Sequence, residues 1–194
     1  MQILHPFAGS IQQYKEQLAD PNRHRPCSCM LCGAKKPLRA HGFYSRTVRE
    51  LAFDGAIQVR RYLCRSCRRT ISLLPEFVLP YLRCAITVIG LFLKARLLDR
   101  KTLRQSALAA EDCDMPYQRG QQWIRRFRGQ AASLATALVA LMRPPSAPDF
   151  ITRALTMLET AGWVAAHRFL FDKLRMHLLG WPPSLAPDGR RCAL

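Results

Sequence analysis

Apolar and polar positions alternate in the first half of the chain and recur at helical spacing in the second. Ile57 and Val59 interleave with Gln58 and Arg60, the period of two that marks a half-buried strand. This pattern predicts strands over Leu38–Arg46 and Ile57–Tyr62, a short turn at Asp54-Gly55, and a third short strand over Thr70–Leu74. Pro75 and Pro80 punctuate the exit. From Tyr81 the period changes: Ile86, Ile89, Phe92, Leu93 and Leu97 fall on one helical face. Asp99-Arg100-Lys101 breaks that helix, and Thr102 is placed to cap the next, Leu103–Ala110. Glu111–Asp114 reads as a connecting turn. Pro116 then opens a helix over Tyr117–Arg128, striped by Gly120, Trp123, Ile124 and Phe127. A separate apolar helix ends at Arg143-Pro144-Pro145, and two more are predicted over Phe150–Thr160 and Trp163–Leu179. Residues 1–26 predict a lead-in helix at Ile11–Leu18 and a linker turning at Asp20-Pro21-Asn22.

The expected fold is therefore α+β. Residues 1–26 lead in, residues 27–80 form the β part, residues 81–143 are helical, and residues 144–194 form a helical extension and tail.

Cysteine spacing changes this picture most. Cys29/Cys32 and Cys64/Cys67 are two C-x2-C pairs flanking the expected hairpin, the layout of a zinc ribbon. Each pair lets two thiolates reach one tetrahedral ion from a single turn, and two pairs complete a closed, structural site for one Zn2+. The gap between the pairs is longer than in compact ribbons, as two long strands require. Nothing at Met1–Ser10 resembles a secretory leader, so disulfides are not expected and metal is favoured. Cys27 offers a competing C-x4-C pairing. Cys29 is preferred, because its spacing matches the second pair and Gly33 follows Cys32 where a tight turn is needed. Cys84, Cys113 and Cys192 stand alone and read as core or tail residues.

Thirty basic residues against thirteen acidic ones give a formal charge of +17. The excess is +8 over residues 27–83 and +6 over residues 84–143, so it follows the cysteine region and the helices after it. Nucleic acid is the leading partner for such a surface. No run is apolar enough to span a bilayer, and the expected location is cytoplasmic and nucleoid-associated. Arg60, Arg61, Arg65, Arg68 and Arg69 are candidate phosphate contacts. A short helix, a turn and a helix bearing a Gln/Arg face follow the helix-turn-helix plan. On it Gln118, Arg119, Gln122, Arg125 and Arg126 are candidates for DNA contact. A plain bundle with a solvated arginine face would give the same pattern. His41, in His41-Gly42, reads as a packing and bulge position before a ligand, and Trp123 as core before a base-stacking platform.

Several of these residues together resemble the zinc-ribbon region of bacterial mobile-element proteins. They are Cys29-x2-Cys32, His41-Gly42-x-Tyr44-x-Arg46, Arg61-x2-Cys64-x2-Cys67, Thr70-x-Ser72-x-Leu74-Pro75 and Pro80-Tyr81. The likeness is to the N-terminal DNA-binding part of insertion-sequence transposases and to stand-alone zinc-ribbon/helix-turn-helix proteins, over about residues 27–130. It implies sequence-preferring binding of double-stranded DNA at a mobile element, as an accessory or regulatory factor, a transcription regulator, or a truncated transposase, with a transposase or recombinase as a possible partner. The chain departs from full transposases after residue 143. Asp149, Glu159, Asp172 and Asp188 come without the βαβ pattern of a ribonuclease-H-like domain, and no tyrosine-recombinase constellation is present. No enzymatic activity is expected. The rival reading is a protein-interaction adaptor for a polymerase or recombinase complex.

Overall fold

The computed structural model describes residues 2–7, 9–18, 20, 24–51 and 53–180. The Pro21-Asn22 part of the expected turn, Asp188, Cys192 and the tail lie outside the described residues. Among those described, the chain is α+β, with a four-stranded sheet and six helices in two compact units, residues 1–88 and 89–194.

In the first unit, β1 (Gln2–His5), β2 (Arg39–Glu50), β3 (Phe53–Leu63) and β4 (Thr70–Pro75) form one sheet in the order β1-β4-β3-β2. β2, β3 and β4 run antiparallel as consecutive strands, whereas β1 joins β4 in parallel, pairing Gln2 with Ser72 and Leu4 with Leu74. The lead-in segment is thus woven into the sheet. β1 is too short for its period to stand out in sequence, yet Ile3 and Leu4 bury against the core. The helix α1 (Ile11–Gln17) is opened by a reciprocal capping box between Ser10 and Gln13. Its Tyr14 reaches Gln58 O at 3.1 Å and meets Phe7 and Phe77 edge-to-face, with centroids 5.4 and 5.9 Å away. Each such aromatic pair contributes about 0.5–1.5 kcal/mol beyond its burial.

The hairpin is longer than its alternation suggests. Pairing continues through Arg49–Asp54 to Glu50–Phe53, so the chain reverses before the expected Asp54-Gly55 turn, which lies inside β3. Two contacts favour this register. Arg49 Nε is 3.5 Å from Asp54 Oδ2, and Gly55 leaves room for the Phe53 ring, which a Cβ would meet at 3.1 Å. A bulge interrupts β2 between Ala40 and Phe43, and Gly42 adopts φ +79° there. The expected bulge is present, but His41 is exposed and does not pack. Ile57 and Val59 are buried on one face of β3 as their alternation requires, while Tyr62, of opposite parity, is buried on the other face with Ile71 and Leu73.

Arg46 on β2 donates to the carbonyls of Leu79 and Leu82, tying the strand to the Pro80-Tyr81 segment. Two separated parts of the motif are therefore one structural tie.

The helix α2 (Ile86–Leu97) opens at the junction of the units, followed by α3 (Leu103–Ala109), α4 (Tyr117–Leu138), α5 (Phe150–Ala161) and α6 (Trp163–Leu174). Thr102 caps α3 in a capping box with Gln105, as expected, and Asp149 caps α5 by accepting from Ile151 N and Thr152 N. The break expected after Arg128 is absent. The buried stripe Trp123, Ile124, Phe127, Ala131, Leu134, Ala135 and Leu138 keeps helical spacing straight through, so α4 is one helix of 22 residues. α6 stops at Leu174, short of the expected Leu179, because Arg175 turns left-handed at φ 52° and Met176 N closes onto Leu170 O. Within this unit Phe92 and Trp123 pack edge-to-face at 5.5 Å, and a Cβ at Gly120 would come within 2.8 Å of the Phe92 ring. Trp123 is core.

Candidate metal centre and basic surface

The first cysteine pair precedes β2 and the second lies in the turn between β3 and β4, so hairpin closure brings them together. All four sulfurs lie within 4.8 Å of one another. Cys29 Sγ is 3.8 Å from Cys67 Sγ, and Cys32 Sγ is 3.7 Å from Cys64 Sγ. A disulfide needs about 2.05 Å. Four thiolates about 2.3 Å from a central ion have S–S edges of about 3.8 Å, so the donor set fits a tetrahedral metal. Cys27 is exposed and outside the cluster, which settles the choice between it and Cys29. His41 is not among the clustered groups.

The two turns share one hydrogen-bonding plan. Cys29 N donates to Ala34 O and Cys64 N to Arg69 O, each at 3.0 Å. In each, the residue directly after the second cysteine is left-handed: Gly33 at φ 71° and Arg68 at φ 56°. Leu31 N points at Cys29 Sγ at 3.4 Å. The N–H groups of Cys67 and Ser66 favour the Cys64 thiolate and bring that thiol down to about 6. At Cys32 the Ala34 N–H also favours the thiolate, but desolvation and the neighbouring sulfurs prevail and push the thiol up to about 11. Ile3, Leu38, Tyr62, Ile71 and Leu73 pack with Cys29 and Cys64 in one buried cluster, so the centre and the sheet share a core.

The candidate phosphate contacts divide. Arg65, Arg68 and Arg69 are exposed around the second turn. Arg61 is half-buried, with its guanidinium 3.4 Å from Thr70 Oγ1. Arg60 lies over the Phe43 ring at 4.3 Å and near that of Tyr62 at 5.8 Å, which makes it part of the sheet surface.

On α4, Gln118, Gln122 and Arg125 are exposed opposite the buried stripe. Arg119 is half-buried and turns towards the buried Asp112, 4.0 Å away. Arg126 does not belong on a DNA-facing surface. Its Nε donates to Leu179 O at 2.7 Å and its Nη2 to Gly180 O, and burial lowers its pKa. Helical spacing could not reveal this, because the partners are main-chain carbonyls more than fifty residues away.

Sequence reasoning also missed a cleft of about 470 Å3 beside the cysteine cluster. It is lined by Arg25, Lys36, Leu38, Arg39, Cys64 and Arg65, among others. Of its four cations, only Arg65 was singled out from the sequence. The convergence of the others with Arg25 depends on Leu38 N bonding to Pro26 O at 3.1 Å.

A family model described as a domain of unknown function, DUF6431, matches residues 29–111. That span begins at the first clustered cysteine, holds all four, and ends just after α3. No curated protein and no solved structure matches the chain. Among the described residues, no helix is long and apolar enough to cross a membrane.

Proposed function

We propose that the protein binds double-stranded DNA through a zinc-ordered basic surface, with α4 supplying sequence preference. The observation that carries this reading is the placement of exposed Arg65, Arg68 and Arg69 on the turn that also presents Cys64 and Cys67. No acidic residue occurs between Ala56 and Pro75. The donor set is four thiolates in a closed shell, which favours Zn2+ in a structural role. Bound there, the metal would crosslink the segment before β2 to the turn after β3. Arg68 and its neighbours would then hold a fixed position, so less conformational entropy is lost on contacting phosphate.

Gln122 and Arg125 suit adenine and guanine edges respectively, and α3 with α4 is read as a helix-turn-helix. The resemblance to mobile-element proteins makes a transposition accessory or regulatory factor, or a truncated transposase, the best-fitting biological role, without catalysis by this chain. One observation favours the adaptor reading: Met30 and Leu31, at the tip of the first cysteine turn, are exposed apolar side chains. Binding of a labelled duplex by zinc-loaded protein, and its loss on chelation, tests the proposal. Duplex binding unaffected by metal removal would contradict the role assigned to the centre.

A further inference from the structure

The cleft beside the cysteine cluster is a recess of about 470 Å3 in the first unit. Arg25, Lys36, Arg39 and Arg65 line it, and none makes an ion pair among the described residues. Its lining includes no carboxylate. Ser66 adds a hydroxyl, while Ala34, Pro37, Leu38 and Ala40 supply apolar surface. Four cations converging on an apolar floor suit a ligand with an anionic group joined to a flat, weakly polar body. At about 470 Å3 the cleft lies in the range of small-ligand sites. A nucleotide has this chemistry and fits this scale. Within a duplex the base is stacked and paired, so only an unpaired nucleotide can enter.

We infer that this cleft binds the phosphate and sugar-base body of one unpaired nucleotide at a strand end or single-stranded extension next to the duplex. The inference rests on the DNA-binding reading and adds a preference for junctions over continuous duplex. Arginine forks grip the phosphate, and a guanidinium face can lie along the base. The metal centre serves the cleft as well, because Cys64 and Arg65 are adjacent in the turn that forms one wall.

The test compares a blunt duplex with the same duplex carrying a short 5′-phosphorylated single-stranded extension, using zinc-loaded full-length protein and fluorescence anisotropy. The extended DNA is expected to bind roughly tenfold more tightly, the scale of one charge-assisted contact. Combining Lys36→Gln with Arg39→Gln should erase the difference between the two DNAs, whatever it does to both affinities. Both residues are exposed, and unchanged zinc content would show that the variant folds. Equal affinity of the unaltered protein for the two DNAs would overturn the cleft assignment and leave the duplex reading standing. Failure to bind either DNA would overturn both. A nucleoside 5′-monophosphate and inorganic phosphate serve as competitors, expected to remove the preference only at concentrations far above that of the extended strand. If the mononucleotide matched the strand in affinity, the ligand would be a free nucleotide and the strand-end assignment would fall.

Discussion

Gly33 and Arg68 occupy the same place in their two turns. Each directly follows the second cysteine of its pair, and each is left-handed, at φ 71° and 56°. Glycine adopts that conformation without cost, whereas a residue with a Cβ is disfavoured there by about 1–2 kcal/mol. Under the proposed function, phosphate contact by Arg68 would offset that cost. Arg68→Gly should therefore stabilise the first unit by about 1 kcal/mol. It should also weaken DNA binding and reduce the salt slope by about one unit. Denaturant unfolding and salt-dependent anisotropy on one preparation check both halves. A variant that loses stability without losing affinity would show that the arginine is structural.

The metal centre is expected to hold one zinc per chain. Replacing Cys29, Cys32, Cys64 or Cys67 by Ser should remove the metal and unfold the first unit, since structural zinc supplies on the order of 10 kcal/mol of folding free energy in small domains. Cys27→Ser should leave zinc content unchanged, because Cys27 lies outside the sulfur cluster. Metal analysis and circular dichroism of the five variants would decide this.

Acid should loosen the helical unit through His167. The ring is fully buried, neither nitrogen has a hydrogen-bond partner among the described residues, and burial with nearby His177 lowers its pKa to about 3. Unfolded, it would protonate near 6.5. Between those values the unfolded state binds more protons, so stability falls as pH falls from about 6.5 towards 3, by up to about 1.4 kcal/mol per pH unit. Trp123, Trp163 and Trp181 all belong to this half of the chain, so tryptophan fluorescence reports its unfolding. His167→Leu should flatten the acid limb; an unchanged limb would assign the sensitivity to other groups.

Two arginines one residue apart should behave in opposite ways. Arg126→Ala should destabilise the helical unit by about 1–3 kcal/mol, because it strips charged donors from the part-buried Leu179 and Gly180 carbonyls. Its effect on DNA should be no larger than that instability explains. Arg125→Ala or Gln122→Ala should leave the fold intact and cost about 1–3 kcal/mol on the preferred site, with much less lost on random DNA. Equal losses on both DNAs would remove support for readout by α4.

Features that depend on local pattern could be read from the chain. The C-x2-C spacing named the four clustered cysteines, Thr102 announced the α3 cap, and Ile57 and Val59 declared the inner face of β3. Features set by distant partners could not. β1 needs β4 before its four residues make a strand, and Arg126 looks like surface until residues 179 and 180 return to it. The misplaced hairpin turn has the same origin, since Asp-Gly is a strong local signal that the Arg49–Asp54 register overrides. The basic cleft depends on Arg25, whose position follows from the Leu38–Pro26 bond and from no sequence motif.

The central claim is that the zinc-ordered turn is a phosphate-binding surface, and salt dependence tests it most directly. Duplex affinity should be measured across a series of salt concentrations for zinc-loaded protein and for the Arg65→Ala, Arg68→Gly, Arg69→Ala combination. A straight log–log line with a steep negative slope is predicted, shallower by about three units in the variant. Binding that is insensitive to salt, or a slope the three substitutions leave unchanged, would contradict the account.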